Sequence, residues 1–431
     1  MSSILTNNGA MVALQTMRQI NRSMEATQSQ ISTGLKVATA KDNAATWAIS
    51  KVMDSDVKGF TAISESLRLG TSTVAVARSA SDSVLDMLGE IKKLIVSAQE
   101  DNVDREKLQN ELSSLRNQIG SITGAAQFNG LNLLSNDGLV KTGAVNTANL
   151  VRDAGAVGTV GVLSSLDRAA SGSVSASEIT VARQDLTMRT AVRGAGTDIA
   201  ATALAGAGAI ANEATVNHTI NGDATTLVRN ENRVLAGDSY AINGIAGIAA
   251  DTIVYVARDG DTVQDIARGL VDRINFHAAA NGVNVTAAVG GPGNNLVAIT
   301  NNTGTAFTTT SQVNTAGADT VRSSGGLELL NSFNIGSENG ARAALGAIEG
   351  LIQSTIDAGA AFGTVEKRME IQNDFVRNLM DSLKSGIGAL VDADMEETSA
   401  RLQALQVQQQ LGIQSLSVAN QQPQNILALF R

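Results

Sequence analysis

The residue types that most often carry catalysis or bind transition metals are scarce in this sequence. It contains no cysteine and only two histidines, His218 and His277, which lie far apart along the chain. Without cysteine there is no thiol nucleophile and no thiolate metal ligand, and a metalloprotease helix of the H-E-x-x-H type needs two histidines on one helical face. Each histidine is therefore interpreted as an ordinary core or surface residue. We predict no catalytic residue and no metal site.

Two glycine-rich segments match ligand-binding loops only in part. The Gly-Ala-Gly segment at 194–196 lacks the third glycine of a dinucleotide-binding turn. The Gly-Gly-Pro-Gly segment at 290–293 lacks the lysine of a phosphate-binding loop. Both segments are predicted to be turns, and no cofactor is predicted.

A cluster of carboxylates near the C-terminus could hold a cation. Its members are Asp392, Asp394, Glu396 and Glu397. Carboxylates are also favoured in the first turn of a helix by the helix macrodipole, which accounts for the cluster without a cation. Met11, Met17 and Met24 follow helical spacing and are interpreted as packing residues rather than as ligands of a soft metal. These patterns indicate a structural protein and not an enzyme.

The overall composition argues against several classes of partner. The 431 residues carry a net charge of −9 and no cluster of lysine and arginine, so nucleic-acid binding is not expected. No stretch approaches the roughly 20 apolar residues of a membrane span, so membrane insertion is not expected either. Polar residues interrupt the first apolar stretch, and the first charged residue is Arg18, so we predict no cleavable secretory signal. Export would need another route.

The first 35 residues show the apolar spacing of a helix that packs on another helix. Between Ala10 and Leu35 the apolar side chains recur with a period of about 3.5 residues. The predicted seam contains Leu14, Met17, Asn21, Met24, Gln28, Ile31 and Leu35. A turn is predicted at Gly34, followed by two further helices over about 44–100 and 104–130.

The C-terminal part of the chain mirrors this arrangement. Residues 338–384 are predicted to form a helix, and Gly386 and Gly388 predict a break after it. A last helix is predicted to start in the acidic cluster at 392–397. Its heptad seam contains Leu402, Leu405, Leu416 and Ala419. So narrow an apolar stripe stabilises an isolated helix poorly and favours a helix that becomes ordered in an assembly.

The middle of the chain, about 140–330, is rich in Thr, Gly, Asn, Val and Ala. Segments 216–228 and 234–248 each span an Asn-Gly pair and are predicted to be β-hairpins. Further predicted elements are a helix at 261–278 and strands at 283–289 and 296–300. The predicted fold class is mainly α at both ends, where the N- and C-terminal segments form a long helical hairpin or coiled-coil bundle, with an inserted α+β middle domain.

Both ends of the chain resemble bacterial flagellin. The N-terminal motifs are Gln-Ile-Ser-Thr-Gly-Leu at 30–35, Ala-Lys-Asp-Asn-Ala-Ala at 40–45 and Phe-Asn-Gly at 128–130. The C-terminal motifs are Asp-Ala-Asp at 392–394 and the ending at 419–431, which closes with Asn-Ile-Leu-Ala-Leu-Phe-Arg. The resemblance covers about 1–140 and 338–431, with the motifs of both ends in the right order.

The resemblance implies a self-polymerising subunit of the bacterial flagellar filament, which serves swimming motility. The implied layers are an N-terminal inner-tube helix at 1–40, N-terminal outer-tube helices at 41–140, an inserted surface-exposed domain at 141–335, a C-terminal outer-tube helix at 336–388 and a C-terminal inner-tube helix at 389–431. The implied location is the extracellular filament, reached unfolded through the flagellar type III channel without a cleaved signal peptide. The implied partners are copies of the chain, other flagellins, hook-associated junction and cap proteins, and the export apparatus with its chaperone.

Two sets of site residues follow. The residues expected to mediate self-assembly are Leu14, Met17, Met24, Ile31, Leu35, Leu402, Leu405, Leu416, Ala419, Ile426, Leu429 and Phe430. The second set corresponds to the helix face with which related flagellins engage an animal innate receptor, through the pattern Leu-Gln-Arg-x-Arg-Glu-Leu. Its members are Leu88, Glu90, Lys92, Lys93 and Leu94. Glu90 replaces an Arg and Lys93 replaces a Glu, and these reversed charges predict weak activation of the receptor.

Three other functions share part of this pattern. A hook–filament junction protein has similar ends, but the length, the large middle insert and the ending at 426–431 favour a filament subunit. A secreted adhesin with a coiled-coil stalk is an alternative that would not polymerise when purified in high salt. An enzyme carried by the middle domain would need a catalytic constellation, and the missing histidine pair argues against a zinc protease.

Overall fold

The computed structural model of the chain describes residues 7–135, 158–168, 173–193, 204–206, 208–220, 234, 237–250, 252–258, 261–314 and 323–429. Side chains are described up to 421, except those of residues 168 and 205. The chain divides into two compact units. The first comprises residues 1–65, 165–175 and 373–431, and the second comprises 66–164 and 176–372. Within the described ranges, no helix combines the length and apolar character needed to cross a membrane.

Helices dominate both ends of the described chain and strands dominate its middle, which confirms the predicted fold class. The helices are α1 (Asn8–Thr33), α2 (Ala44–Ser97), α3 (Arg105–Ala125), α4 (Val263–Ala280), α5 (Glu338–Val391) and α6 (Met395–Leu429). The strands are β1 (Gln127–Phe128), β2 (Leu131–Asn132), β3 (Thr159–Arg168), β4 (Val174–Ala182), β5 (Leu204–Ala205), β6 (Gly208–Ile210), β7 (Thr215–Ile220), β8 (Ser239–Asn243), β9 (Val254–Val256), β10 (Val285–Gly290), β11 (Leu296–Asn301) and β12 (Phe307–Asn314). A 3-10 turn at Glu328–Ser332 precedes α5.

In the first unit, α1 and α6 lie antiparallel along each other. Asn7 caps α1 by accepting a hydrogen bond from the Ala10 amide (3.1 Å), and its own side-chain amide donates to the Ala419 carbonyl (2.8 Å). At the other end of α1, Gly34 adopts a φ of 71°, as the predicted turn requires. The next residue, Leu35, forms a β-bridge with Asp392. Contacts at both ends of α1 therefore fix its register on α6.

Helix α5 is longer than predicted. It continues through Gly386 and Gly388 to Val391, so the predicted break at these glycines is wrong. Glycine costs a helix interior only about 1 kcal/mol relative to alanine, which a helix of 54 residues tolerates. The Asp392 amide still donates to the Gly388 carbonyl (2.8 Å), so the helical hydrogen bonding runs past both glycines.

Helix α6 begins at Met395, just after the first aspartates of the acidic cluster. The side chain of Asp394 accepts hydrogen bonds from the amides of Glu396 (2.9 Å) and Glu397 (3.2 Å). These amides have no partner of their own within the helix, so Asp394 serves as its N-cap. The cluster therefore caps and starts a helix, as its position predicted.

Helix α3 is shorter than predicted. It ends at Ala125, and the following residues form the hairpin of β1 and β2, in which Phe128 faces Leu131. Asn129 and Gly130 take φ values of 50° and 80° at the tip of this hairpin. Left-handed φ at both turn residues is typical of a two-residue hairpin loop, so the predicted helix end near Gly130 is wrong.

Two four-stranded sheets form the middle of the second unit, in the orders β10-β11-β7-β5 and β6-β12-β8-β9. The short strands β5 and β6 link them, since β5 pairs with β7 and β6 pairs with β12. Gly206 lies between these two strands with a φ of 133°, and a Cβ there would overlap the Asn217 carbonyl oxygen. Only glycine fits this approach.

Helix α4 packs on both sheets and completes the core. Thr262 and Asp265 form a reciprocal capping box at its start, and its buried face includes Ile266, Leu270 and Ile274. The predicted helix at 261–278 and the predicted strands at 283–289 and 296–300 are confirmed by α4, β10 and β11.

The strand pairings differ from the predicted hairpins. Strand β8 pairs with β12 and β9, and 245–248 forms a turn, so the hairpin predicted over 234–248 is wrong. Strand β7 pairs with β11 and β5, and the rest of the hairpin predicted over 216–228 lies outside the described residues. Gly244 has a φ of 87°, and a Cβ there would overlap the Thr308 carbonyl oxygen. This glycine therefore permits the approach of β12 instead of closing a hairpin.

Candidate self-assembly surfaces

The terminal helix pair, α1 with α6, meets along a heptad seam. The buried and half-buried positions of α6 are Thr398, Leu402, Leu405, Gln409, Gly412, Leu416 and Ala419. In α1, the row of buried and half-buried residues that faces α6 consists of Ala10, Ala13, Met17, Ile20, Met24, Thr27 and Ile31. Both rows alternate steps of three and four residues, which is the spacing of a two-helix coiled coil.

The predicted seam residues of α6 all lie on this seam, and those of α1 divide into two groups. Met17, Met24, Ile31 and the adjoining Leu35 are half-buried. Leu14 is 41% exposed and lies outside the row that faces α6. The predicted row at 14, 21 and 28 is therefore displaced by one position, and the row at 13, 20 and 27 faces α6 instead.

Small residues lie along the row of α1 that faces α6. Met17 and Ile20 of α1 lie next to Gly412 of α6, where a Cβ atom would be in ordinary van der Waals contact with Met17 Cε (3.7 Å) and Ile20 Cδ1 (3.9 Å). Asn21 lies at the edge of the seam, where its Oδ1 accepts a hydrogen bond from Gln409 Nε2 (2.9 Å). The sequence signal that could have identified this row is that its members Ala10, Ala13 and Thr27 are small, since small residues permit close helix packing.

The last three predicted assembly residues are only partly described. Ile426 and Leu429 belong to the helical backbone of α6, and their side chains, with the whole of Phe430, lie outside the described residues. Their role in assembly therefore stays a prediction.

The terminal helix pair exposes a second apolar row. On α6, Val407, Leu411 and Val418 are each more than half exposed and follow heptad spacing on the side away from the seam. On α1, Met11 and Val12 are more than 60% exposed. A groove of about 690 Å³ runs along one side of the pair and a groove of about 1020 Å³ along the other. The pair therefore keeps apolar surface that no described part of the chain covers.

The face predicted to correspond to the receptor-binding face lies on α2. Leu88 is fully buried and Leu94 is half-buried, so both pack inside the second unit. The exposed side chains of Glu90 and Lys93 pair with each other (2.6 Å), and Lys92 pairs with Glu349 of α5. The charges thus serve contacts within this chain, and those of Glu90 and Lys93 also face solvent.

Neither histidine belongs to a chemical site. His218 is buried between the two sheets, with Nδ1 2.9 Å from Ser311 Oγ and Nε2 3.1 Å from Thr309 Oγ1. Burial lowers the pKa of His218 to about 4, so the ring is neutral at pH 7. His277 stacks edge-on against Phe276, and burial lowers its pKa as well. The described residues hold no group of three or more carboxylate and imidazole side chains that could bind a metal ion.

A partly buried network of charged groups in the second unit was not predicted from the sequence. The Arg273 guanidinium pairs with Glu328 and lies over the Tyr255 ring at 5.2 Å. The Tyr255 hydroxyl donates to Asp261 (2.8 Å), and burial raises the pKa of both groups. Because these groups bind one another, we interpret the network as structural.

Profiles of the bacterial flagellin family match both ends of the chain. The bacterial flagellin N-terminal helical region matches residues 4–138, and the C-terminal helical region matches residues 345–430. Flagellin A and flagellin B of Rhizobium meliloti are each 36% identical to the chain, over 432 and 437 residues, with full coverage of both sequences. The solved structure of FliC from Burkholderia pseudomallei is 16% identical, covers 69% of this chain and 99% of that one, and has a TM-score of 0.30.

The two matched segments contain α1, α6 and the seam between them. The full-length identity to two flagellins agrees with the motifs at both ends of the sequence. Flagellins are structural proteins and not enzymes, as the missing catalytic constellation predicted. The chain therefore belongs to the bacterial flagellin family and is a structural subunit of the flagellar filament.

Proposed function

We propose that the terminal helix pair drives polymerisation, because its open apolar faces are covered only by further copies of the chain. The observation that supports this is the exposed row at Val407, Leu411 and Val418, which repeats the heptad spacing of the internal seam. An isolated pair with so much exposed apolar surface gains stability from each added neighbour, at about 25 cal/mol per Å² of apolar surface buried. Contacts that do not close into a ring then extend as a helical filament.

We also propose the layered arrangement that the resemblance implies. The inner tube would contain 1–40 and 389–431, the outer tube 41–140 and 336–388, and the outer surface 141–335. In this arrangement the apolar rows of α1 and α6 face other subunits. The middle sheets, whose core is complete within one chain, need no neighbour.

Export is proposed to occur without a cleaved signal peptide, through the flagellar type III channel. A chain without cysteine forms no disulfide on its way to the oxidising exterior. Terminal helices that gain most of their packing on assembly suit transport in an unfolded form. The proposed partners are further subunits, hook-associated junction and cap proteins, and the export apparatus with its chaperone. The proposed location is the extracellular filament.

Polymerisation of the purified full-length chain tests the central proposal. We expect salt-induced or seeded growth of filaments, measured by pelleting and by negative-stain microscopy. A chain that stays monomeric under both conditions would contradict the proposal and would favour an adhesin with a coiled-coil stalk.

A deletion of the middle tests the layered arrangement. Segments 185–193 and 323–328 run side by side, with hydrogen bonds from Gly325 to Arg189 (2.8 Å) and from Leu327 to Thr187 (3.1 Å). Joining Arg193 to residue 323 through a short linker should therefore leave the helices in place. We expect thinner filaments, and loss of polymerisation by the folded variant would show that the middle takes part in essential packing.

A second proposal concerns the innate receptor. We propose that the chain activates it weakly, since Glu90 and Lys93 carry charges opposite to those of the family pattern. An Arg at the centre of an interface is often a hot spot, and a carboxylate in its place adds repulsion to the lost hydrogen bonds. The alternative is that 88–94 is simply a packing helix, and its contacts with Glu349 agree with that role as well.

A further inference from the structure

Charged side chains are paired differently in the long helices and in the terminal helix pair. Along α2 and α5, ion pairs join Lys58 to Asp54 (3.0 Å) and Arg78 to Glu366 (2.7 Å), among others. In the terminal helix pair, the exposed Arg18, Arg22, Glu396 and Glu397 form no ion pair with any residue that the structure describes. They stand in helices that are otherwise almost free of charge, since no charged residue lies between Arg401 and Arg431.

The two arginines border a groove with apolar walls. Arg18 and Arg22 stand one helical turn apart and, with Met11, Leu14 and Leu416, line the groove of about 1020 Å³. Met11 and Leu14 are exposed there. We call this surface, defined by these five residues, the basic groove. Its chemistry suits a partner with apolar side chains next to carboxylates.

A surface of that kind lies at the other end of the same helix pair. The turn from α5 into α6 exposes Leu390, Met395, Glu396 and Glu397, and we call these four residues the acidic turn. The carboxylate of Asp394 is already occupied by the amides that it caps, whereas those of Glu396 and Glu397 are directed to no described partner. The acidic turn therefore matches the basic groove in charge and in apolar content.

The two surfaces are too far apart to meet within one chain. Helix α1 runs antiparallel to α6, with Leu35 at the acidic end, and Gly34 follows Arg22 by twelve positions. Twelve helical residues span about 18 Å at 1.5 Å per residue, well beyond the reach of an ion pair. A second copy can bring the surfaces together.

We propose that the basic groove of one copy receives the acidic turn of a second copy. The inference rests on the proposed polymerisation and names the contact that would direct it. The contact joins two different surfaces of the chain. A copy that binds through one of these surfaces leaves its other surface free for the next copy, so growth continues. It assigns Leu14 to the contact between copies, although it lies outside the seam within the chain.

Charge reversal with complementation tests this contact. The first variant carries Arg18→Glu with Arg22→Glu, and the second carries Glu396→Lys with Glu397→Lys. Each alone should raise the critical concentration for seeded growth by about tenfold, because two ion pairs become two repulsive contacts. An equal mixture should grow almost as the unchanged chain does, because each reversed groove then meets a reversed turn. Growth is measured by pelleting in about 0.05 M salt, where the screening length is roughly 14 Å.

The controls separate this contact from general effects of charge. Lys107→Glu with Arg268→Glu makes the same change in net charge on exposed side chains elsewhere and should leave growth unchanged. Arg18→Lys with Arg22→Lys keeps the positive charge and should also grow. Normal growth of either reversed variant alone would overturn the inference. Failure of the mixture would overturn it too and would indicate another occupant of the groove. In both cases growth of the unchanged chain would leave the proposed polymerisation intact.

Discussion

The middle sheets bury their apolar residues, whereas the terminal helix pair leaves many of its apolar residues exposed. The middle core hides side chains such as Tyr240, Ile266 and Leu270 almost completely. Among the described apolar side chains of α1 and α6, only Leu405 is buried, with 9% of its surface exposed. The apolar core of the middle is thus complete within one chain, whereas the terminal helix pair leaves apolar side chains exposed. Under the proposed polymerisation, we therefore expect monomer stability to depend mainly on the middle and assembly to depend on the terminal helix pair.

Their polar groups differ in the same way. In the middle, the half-buried Arg273 pairs with Glu328, and the half-buried Asp261 accepts a hydrogen bond from the buried Tyr255. Even the free edge of β10 is covered, since Asn275 both donates to and accepts from the backbone of Ala287 (2.9 and 2.7 Å). Covering an edge strand prevents it from pairing with another chain. We therefore expect association between copies to involve the terminal helix pair and not this edge of the middle.

The largest effect that would test this contrast is expected from shortening α6. Removing residues from Gln410 onward deletes Gly412, Leu416 and Ala419 from the seam and the second half of the exposed row. We expect no pelletable filament, because the seam of α1 then lacks half of its partner. Thermal unfolding of the second unit, followed by circular dichroism, should stay unchanged. Normal filaments from this truncation would show that the two-ended seam is not required.

The next effect is expected in the core of the middle. Leu270→Ala removes a fully buried side chain of α4 and should lower the free energy of unfolding by about 2–5 kcal/mol. Urea unfolding of the monomer measures this change.

Leu411→Ala is the matched variant on the terminal helix pair. Leu411 is 55% exposed, so the same substitution should change monomer stability by no more than about 0.5 kcal/mol. It should instead raise the critical concentration for polymerisation. If both substitutions destabilised the monomer equally, the contrast between the two regions would fail.

A smaller effect is expected from acid. Burial of His218 lowers its pKa from 6.5 to about 4, so the unfolded chain binds the proton more readily than the folded chain does. The stability that this group contributes is complete above pH 6.5 and is lost as the pH falls through about 4. At about 1.4 kcal/mol for each pKa unit, the loss should be on the order of 3 kcal/mol. Unfolding of the middle at pH 7 and at pH 4 measures it.

His218→Asn is the variant that isolates this effect. It removes the titrating ring, so most of the pH dependence between 6.5 and 4 should disappear, although the variant is less stable at pH 7. The remaining slope reports in part on His277, whose pKa burial also lowers. An unchanged slope would show that His218 is not the group responsible.

The smallest effect on the molecule itself is expected from exchanging the charges on α2. Glu90→Arg with Lys93→Glu keeps an ion pair three residues apart, so monomer stability should change by less than about 0.5 kcal/mol. Receptor activation in reporter cells should nevertheless rise, because the family charges are restored. Equal activity before and after the exchange would contradict the proposed evasion.

The sequence determined the helical ends and the seam of α6 without help from the structure. Leu402, Leu405, Leu416 and Ala419 follow a heptad within a single segment of the chain, so local periodicity was enough to identify this row. Gly34 and the acidic start of α6 were determined in the same way, since a turn glycine and helix-capping carboxylates act locally. The motifs at both ends also determined the family.

Only the tertiary structure decided features that depend on residues distant in sequence. In α1, rows on either side of Met17, Met24 and Ile31 satisfy the same period, and only the packing on α6 shows that the row of Ala13, Ile20 and Thr27 is the one that faces it. At Gly244, a local Asn-Gly signal predicted a hairpin, but the approach of Thr308 is what the glycine accommodates. Periodicity describes how one segment is built, and the partner that covers it is a property of the whole chain.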